Sequence, residues 1–176
     1  TMANLFLIGD SMIEFFDWQQ RFPGHRVVNL GRSGETASEL LARMDNILSL
    51  QPPPDWLLIM TGTNDVCMED FTFPAVLGRI IETCQNILPD TTITVNSLLP
   101  ISLPYLAPDT VPRINAILEE LAASRDVHFL NGHRALTTSS GVLLPGVLAV
   151  DGVHLEDQGY RLWADAVGTH LASIFP

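Results

Sequence analysis

Apolar residues fall along this chain in two alternating patterns. Five short runs have strand length: Asn4 to Ile8, Arg26 to Leu30, Trp56 to Met60, Thr92 to Ser97 and Val127 to Leu130. Glycine ends the first two, at Gly9 and Gly31. Trp56 to Met60 is apolar throughout, which predicts a strand covered on both faces. Between the runs the period lengthens. Leu40, Leu41, Met44, Ile47 and Leu48 share one helical face, with Thr36 or Ser38 as cap and Pro52-Pro53-Pro54 as stop. Leu77, Ile80, Ile81, Cys84 and Leu88 mark a second helix before Pro89. Val111, Ile114, Ile117, Leu118 and Leu121 mark a third. Tyr160, Trp163, Val167, Leu171 and Ile174, between Glu156 and Phe175, form a closing amphipathic helix.

Strand and helix thus alternate five times. The alternation predicts an α/β fold: a three-layer α/β/α sandwich on a parallel sheet, with the whole chain, 1–176, as one domain. In such folds ligands bind beyond the carboxyl ends of the strands, so the loops after each strand carry the chemistry. Those loops read Gly9-Asp10-Ser11, then Gly31-Arg32-Ser33-Gly34-Glu35-Thr36, then Gly62-Thr63-Asn64-Asp65. Asp151-Gly152-Val153-His154 follows the last strand and precedes the closing helix. One segment is anomalous. Leu98 to Pro108 is too proline-rich for a helix and too apolar for an ordinary exposed loop.

Composition narrows the function classes. Nine basic residues oppose 20 acidic ones, for a net charge of −11. Such a surface repels phosphate backbones and anionic lipid, so neither nucleic acid nor a membrane surface is an expected partner. All the basic residues are arginine. The lack of lysine removes the P-loop, Schiff-base, Ser-Lys and kinase chemistries together. Cys67 and Cys84 make no disulfide framework, and Cys84 falls on an apolar helical stripe. No apolar run approaches the ~18 residues of a membrane span, so stable insertion is not expected. Thr1-Met2-Ala3-Asn4 has no basic segment and leads straight into a strand, so no signal peptide is read there. With Met2 as the natural start the expected location is cytoplasmic. With a signal removed ahead of it, the expected location is periplasmic or secreted.

A serine hydroxyl becomes a useful nucleophile only when a base takes its proton. Ser11 is a candidate nucleophile and His154 a candidate base, because imidazole titrates near neutrality. Asp151, three residues before His154, can orient the ring. A tetrahedral intermediate also needs donors aimed at its oxyanion. Backbone N–H groups at Ser11 and at a loop glycine, with the Asn64 amide, can supply them. The nucleophile and its orienting acid lie at opposite ends of the chain, so only the fold can join them.

These blocks resemble the SGNH hydrolases, the branch of the GDSL esterases and lipases named for Ser, Gly, Asn and His. G-D-S-M, V-N-L-G-R-S-G-E-T, G-T-N-D and D-G-V-H-L-E-D-Q-G-Y occur here in the family order, from Ile8 to about Trp163. The methionine after Ser11 stands where relatives often carry leucine or another apolar residue. The resemblance implies Ser11 as nucleophile, His154 as base and then acid, and Asp151 as its partner. It implies an oxyanion hole of Ser11 N–H, Gly34 N–H and the Asn64 side chain. Gly34 is chosen over Gly31 because the family's glycine directly precedes the acidic-Thr pair, here Glu35-Thr36. Asp10 and Asp65 are expected to support the loops. The family fold is a five-stranded parallel sheet in the order 2-1-3-4-5. The implied activity is hydrolysis of carboxylic esters, with thioesters in the same reach, on a small-molecule substrate and without metal or cofactor.

Other candidates carry less. His25, His128, His133 and His170 match no metal-ligand spacing and are expected in loops or at the surface. Glu119-Glu120 suits a solvated helix face better than a glycosidase pair. Phe15, Phe16 and Trp18 belong either to the core or to a substrate wall. Leu98–Pro108 and Val142–Val150 are expected to overhang the site as an apolar acyl pocket. Carbohydrate O-deacetylation is the alternative within enzymes. A catalytically silent binding module on the same fold is the alternative outside them, and it would be expected to lack one of Ser11, Asp151 and His154.

Overall fold

The computed structural model describes all 176 residues. Five parallel strands form one sheet: β1 (Asn4–Gly9), β2 (Arg26–Gly31), β3 (Trp56–Met60), β4 (Thr92–Asn96) and β5 (His128–Leu130), in the order β2-β1-β3-β4-β5. Gly9 pairs in register with Gly31 and with Met60, so the first three strands end level. The loops after them therefore open on one rim, as the 2-1-3-4-5 order requires.

Side chains alternate across the strands, and that alternation divides the core in two. Phe6, Ile8, Leu57, Ile59, Ile93 and Val95 face one way, toward α3 (Ala37–Leu48), α5 (Phe73–Ile87) and α6 (Thr110–Ser124). Leu5, Leu7, Trp56, Leu58 and Met60 face the other, toward α1 (Ser11–Glu14), α2 (Trp18–Arg21) and α7 (Asp157–Ile174). Polar residues buried on this second face are paired. Trp56 Nε1 donates to Thr94 Oγ1 at 2.9 Å, and Trp163 Nε1 donates to Asn96 Oδ1 at 3.0 Å.

Thr36, not Ser38, caps α3. Its hydroxyl accepts from Glu39 N while the Glu39 carboxylate accepts from Thr36 N, a reciprocal capping box. Four short helical turns were not foreshadowed by periodicity: α1, α2, α4 (Thr63–Cys67) and a 3-10 turn at Gly132–Leu136. None is long enough to show a repeating stripe. Ile117 departs from its predicted stripe, being 49% exposed on α6. His170 is not a free surface residue. It is half-buried, with Nε2 3.0 Å from Thr94 Oγ1. No helix is long and apolar enough to cross a membrane.

Candidate active site

Ser11 stands at the first position of α1, two residues beyond the end of β1. Asp10 caps this turn: its Oδ1 accepts from Met12 N at 3.0 Å, and its carbonyl accepts from Ile13 and Glu14 N. The strand-to-helix turn holds Ser11 at the rim with only 5% of its surface exposed. Asp10 is buried deeper. Its Oδ2 has no partner in hydrogen-bond geometry, although the Thr63 hydroxyl slightly favours the ionised form. Burial dominates and raises the Asp10 carboxyl to about 7 from 3.8, with Glu35 repelling in the same direction.

Asp151 folds its own loop. Oδ1 accepts from Val153 N at 2.9 Å and from His154 N at 3.0 Å, which leaves Oδ2 for the His154 ring at 2.6 Å from Nδ1. The bond from the His154 ring, helped by the Val153 and His154 amides, lowers the Asp151 carboxyl to about 2. The carboxylate is therefore ionised near neutral pH and can only accept, so Nδ1 carries the proton. The Nε2 lone pair is thereby directed at Ser11 Oγ, 3.1 Å away. Gly152 permits this turn. Its φ is +75°, and a Cβ there would lie 2.1 Å from the Ser102 carbonyl oxygen. Ser102 N in turn donates to Gly152 O at 2.8 Å, tying the loop after β4 to the histidine loop.

The predicted oxyanion donors are available. The amides of Ser11 and Gly34 have no acceptor within the chain, and Gly34 has φ +77° with open space where a Cβ would stand. Asn64, on α4, donates one Nδ2 proton to Glu35 O at 2.9 Å and keeps the other free. That bond ties the amide to the Glu35-Thr36 peptide, one residue beyond Gly34. Beneath it, the nearly buried Arg43 holds Glu35 by two contacts, Nε–Oε2 at 2.5 Å and the second guanidinium nitrogen to Oε1 at 2.9 Å. The same guanidinium reaches Leu30 O at 2.7 Å. Glu14 Oε2 accepts from Ser33 N at 2.8 Å, and Asp65 Oδ2 accepts from Ala37 N at 3.0 Å. Asp65 is held above the ordinary carboxylate range by burial. Three loops are thus fixed to one another by charged or polar side chains. Of these, Glu35 and Arg43 were missed as a pair, because salt-bridge partners eight residues apart leave no trace in periodicity.

A nucleophile-base contact, an orienting carboxylate and free donors can together take a proton from Ser11 and stabilise negative charge on a bound carbonyl. No three His, Cys, Asp or Glu side chains are placed to hold a metal ion together.

The expected acyl pocket is only partly realised. Leu98–Pro108 and Val142–Val150 do meet, around a cavity of about 290 Å³, but Ser11, Asp151 and His154 do not line it. Leu98 and Leu99 are spent in the two cores, and Val150 is fully exposed. The cavity adjoins the histidine loop through Ser102. Of the aromatic trio, Trp18 is core, Phe16 stacks on Tyr160 at 5.0 Å, and Phe15 stays 57% exposed with its ring 5.9 Å from that of His154.

A family model described as the GDSL-like lipase/acylhydrolase family matches residues 7–162. The acetylxylan esterase of Geobacillus stearothermophilus is 28% identical over 155 residues, 81% of this chain and 70% of that protein. Among solved structures, a Streptococcus pneumonia protein provisionally named a platelet activating factor superposes with a TM-score of 0.87 at 26% identity, covering 97% of this chain and 85% of that one. A GDSL-like lipase of Bacteroides thetaiotaomicron shares the fold, with a TM-score of 0.77 at 22% identity and coverage of 97% and 88%.

Proposed function

The chain belongs to the GDSL-like lipase/acylhydrolase family of carboxylic ester hydrolases, and we propose that it works through Ser11, His154 and Asp151 by way of an acyl-enzyme. His154 Nε2 takes the Ser11 proton as Oγ attacks the ester carbonyl carbon, and the carbonyl π pair moves onto oxygen. The Ser11 and Gly34 amides and Asn64 Nδ2 hold that oxyanion. Ionised Asp151 stabilises the imidazolium. When the intermediate collapses, the C–O bond to the alcohol breaks and His154 returns its proton to the leaving oxygen. Water then enters. His154 takes one of its protons, the oxygen attacks the acyl carbon, and Ser11 leaves with that proton, giving the free acid.

The observation carrying this reading is the pair of contacts at 3.1 and 2.6 Å that joins hydroxyl, imidazole and carboxylate. Substrates are small-molecule esters, with thioesters open to the same acyl transfer. The sequence similarity to an acetylxylan esterase favours O-deacetylation of a carbohydrate as a second reading. Hydrolysis of p-nitrophenyl acetate by wild type, Ser11→Ala and His154→Ala tests the mechanism. Each variant is expected to lose several orders of magnitude in kcat, on the order of the 10⁴–10⁶ known for such triads, with an unchanged circular dichroism spectrum. A folded Ser11→Ala protein that retains full activity refutes it.

A further inference from the structure

The segment after β1 spends its aromatic residues unevenly. Trp18 packs edge-on against Trp163 at 5.1 Å, and Phe16 stacks on Tyr160 at 5.0 Å. Phe15 joins neither contact. It closes the α1 turn, its N–H donating to Ser11 O at 3.0 Å, and so stands one turn beyond the nucleophile on the same face. Its ring meets the His154 imidazole at 5.9 Å between centroids, tilted by 35°, while the residue as a whole is 57% exposed. A large aromatic side chain thus lies open to solvent against the base of the site, where it adds nothing to either core.

We propose that Phe15 is a specificity-determining residue: it contacts the alcohol half of the ester and favours an apolar one. The inference rests on the serine-esterase reading and deepens it. In the tetrahedral intermediate the carbon bound to Ser11 Oγ carries three other groups, the oxyanion, the alkoxy oxygen and the acyl remainder. The oxyanion turns toward Gly34 and Asn64, which follow β2 and β3. The alkoxy oxygen turns toward His154 Nε2, because it takes a proton from that atom as its bond to carbon breaks, and the transfer needs an approach of about 2.6–3.2 Å. Whatever that oxygen carries therefore leaves the site past the imidazole. One edge of the ring is closed by Asp151, with Oδ2 2.6 Å from Nδ1, and Phe15 flanks it. Its open face can take an apolar group at the centroid separation of about 4.5–7 Å that aromatic contacts prefer. A Phe15 that merely steadied the imidazole would act on every ester alike. A Phe15 that touches the alcohol half distinguishes between alcohols and is blind to the acyl group.

The test uses three esters, benzyl acetate, ethyl acetate and ethyl butyrate, by pH-stat on wild type, Phe15→Ala and Phe15→Leu. The two acetates form the same acetyl-enzyme, and their alcohols are of similar acidity, so their ratio of kcat/KM reads the alcohol half alone. The two ethyl esters differ only in the acyl group. The wild-type acetate ratio is expected to favour the benzyl ester. Phe15→Ala is expected to lower that ratio about three- to tenfold, the scale of one aromatic contact, and to leave the ratio of butyrate to acetate unchanged. Phe15→Leu, which keeps apolar bulk, is expected to fall between. The exposure of Phe15 lets both substitutions leave the cores intact. A benzyl-to-ethyl ratio that Phe15→Ala does not move overturns the proposal, even if all three rates fall together. A wild-type preference for ethyl acetate overturns it as well, and so does a butyrate-to-acetate ratio that shifts as much as the benzyl one. A wild type that hydrolyses none of the three strikes the serine-esterase reading itself, a distinct result.

Discussion

Replacing Asp10 with asparagine separates two roles that a residue beside the nucleophile could have, reactant or buried support. Asp10 is 1% exposed, and its carboxyl is raised from 3.8 to about 7, first by burial. Between those two values the native state holds a proton that the unfolded chain has released. Stability from this group is therefore complete below about pH 4 and is lost as pH rises through 7. The gap is a little over three pH units, and at about 1.4 kcal/mol each it corresponds to a loss of about 4 kcal/mol. Asparagine keeps the oxygen that accepts from Met12 N and carries no charge to desolvate. Urea unfolding of wild type and Asp10→Asn from pH 4.5 to 8, at matched m values, isolates the contribution, because Asp65, shifted in the same direction, is common to both proteins. The wild-type curve is expected to fall relative to the variant by about 3 kcal/mol across that range, the first part of the loss lying below pH 4.5, while Asp10→Asn keeps measurable esterase activity. Parallel curves would contradict the burial argument, and complete inactivation of a folded variant would make Asp10 a reactant.

Further perturbations address the other supports. Asn64→Ala should lower kcat on p-nitrophenyl acetate on the order of 10²–10³, as for loss of one oxyanion donor; a smaller effect than on KM would remove Asn64 from that role. Arg43→Ala strands the Glu35 carboxylate, whose side chain is 2% exposed, and should cost about 3–5 kcal/mol by urea unfolding. Gly152→Ala meets both a φ of +75° and the Ser102 carbonyl, so kcat should drop as the Asp151–His154 turn is displaced, and a fully active variant would show that the loop tolerates the shift. Trp163→Phe leaves Asn96 Oδ1 without its donor and should destabilise by about 1–3 kcal/mol, read from the thermal midpoint.

Much of the architecture was readable because each regular element is long enough to display its period. The strand at Trp56 to Met60 was read as doubly buried, and all five residues are buried. The closing helix runs from Asp157 to Ile174, within a residue of its predicted ends. The order 2-1-3-4-5 came from family resemblance, since alternation alone fixes no strand order. Ser11, His154 and Asp151 converge as the motifs implied, but their distances depend on the whole sheet, which carries Ser11 on its first loop and the histidine loop past its last strand. What escaped was local or lateral. The α4 turn that carries Asn64 spans five residues, too few for a stripe. The Glu35–Arg43 pair depends on a helix start meeting a loop. The apolar segment after β4 was assigned to the substrate because of its composition, yet Leu98 and Leu99 fill the space between sheet and helices. Apolar content marks burial without saying what is buried against it.

The most direct measurement is covalent. A fluorophosphonate reacts only with a serine whose proton a neighbouring base can remove, so incubation followed by intact-mass and peptide mapping reports whether His154 activates Ser11. One adduct per chain is predicted, on the peptide containing Ser11, absent from Ser11→Ala and strongly slowed in His154→Ala. An ester-hydrolysing protein that takes up no label, or takes it up on another serine, would contradict the account.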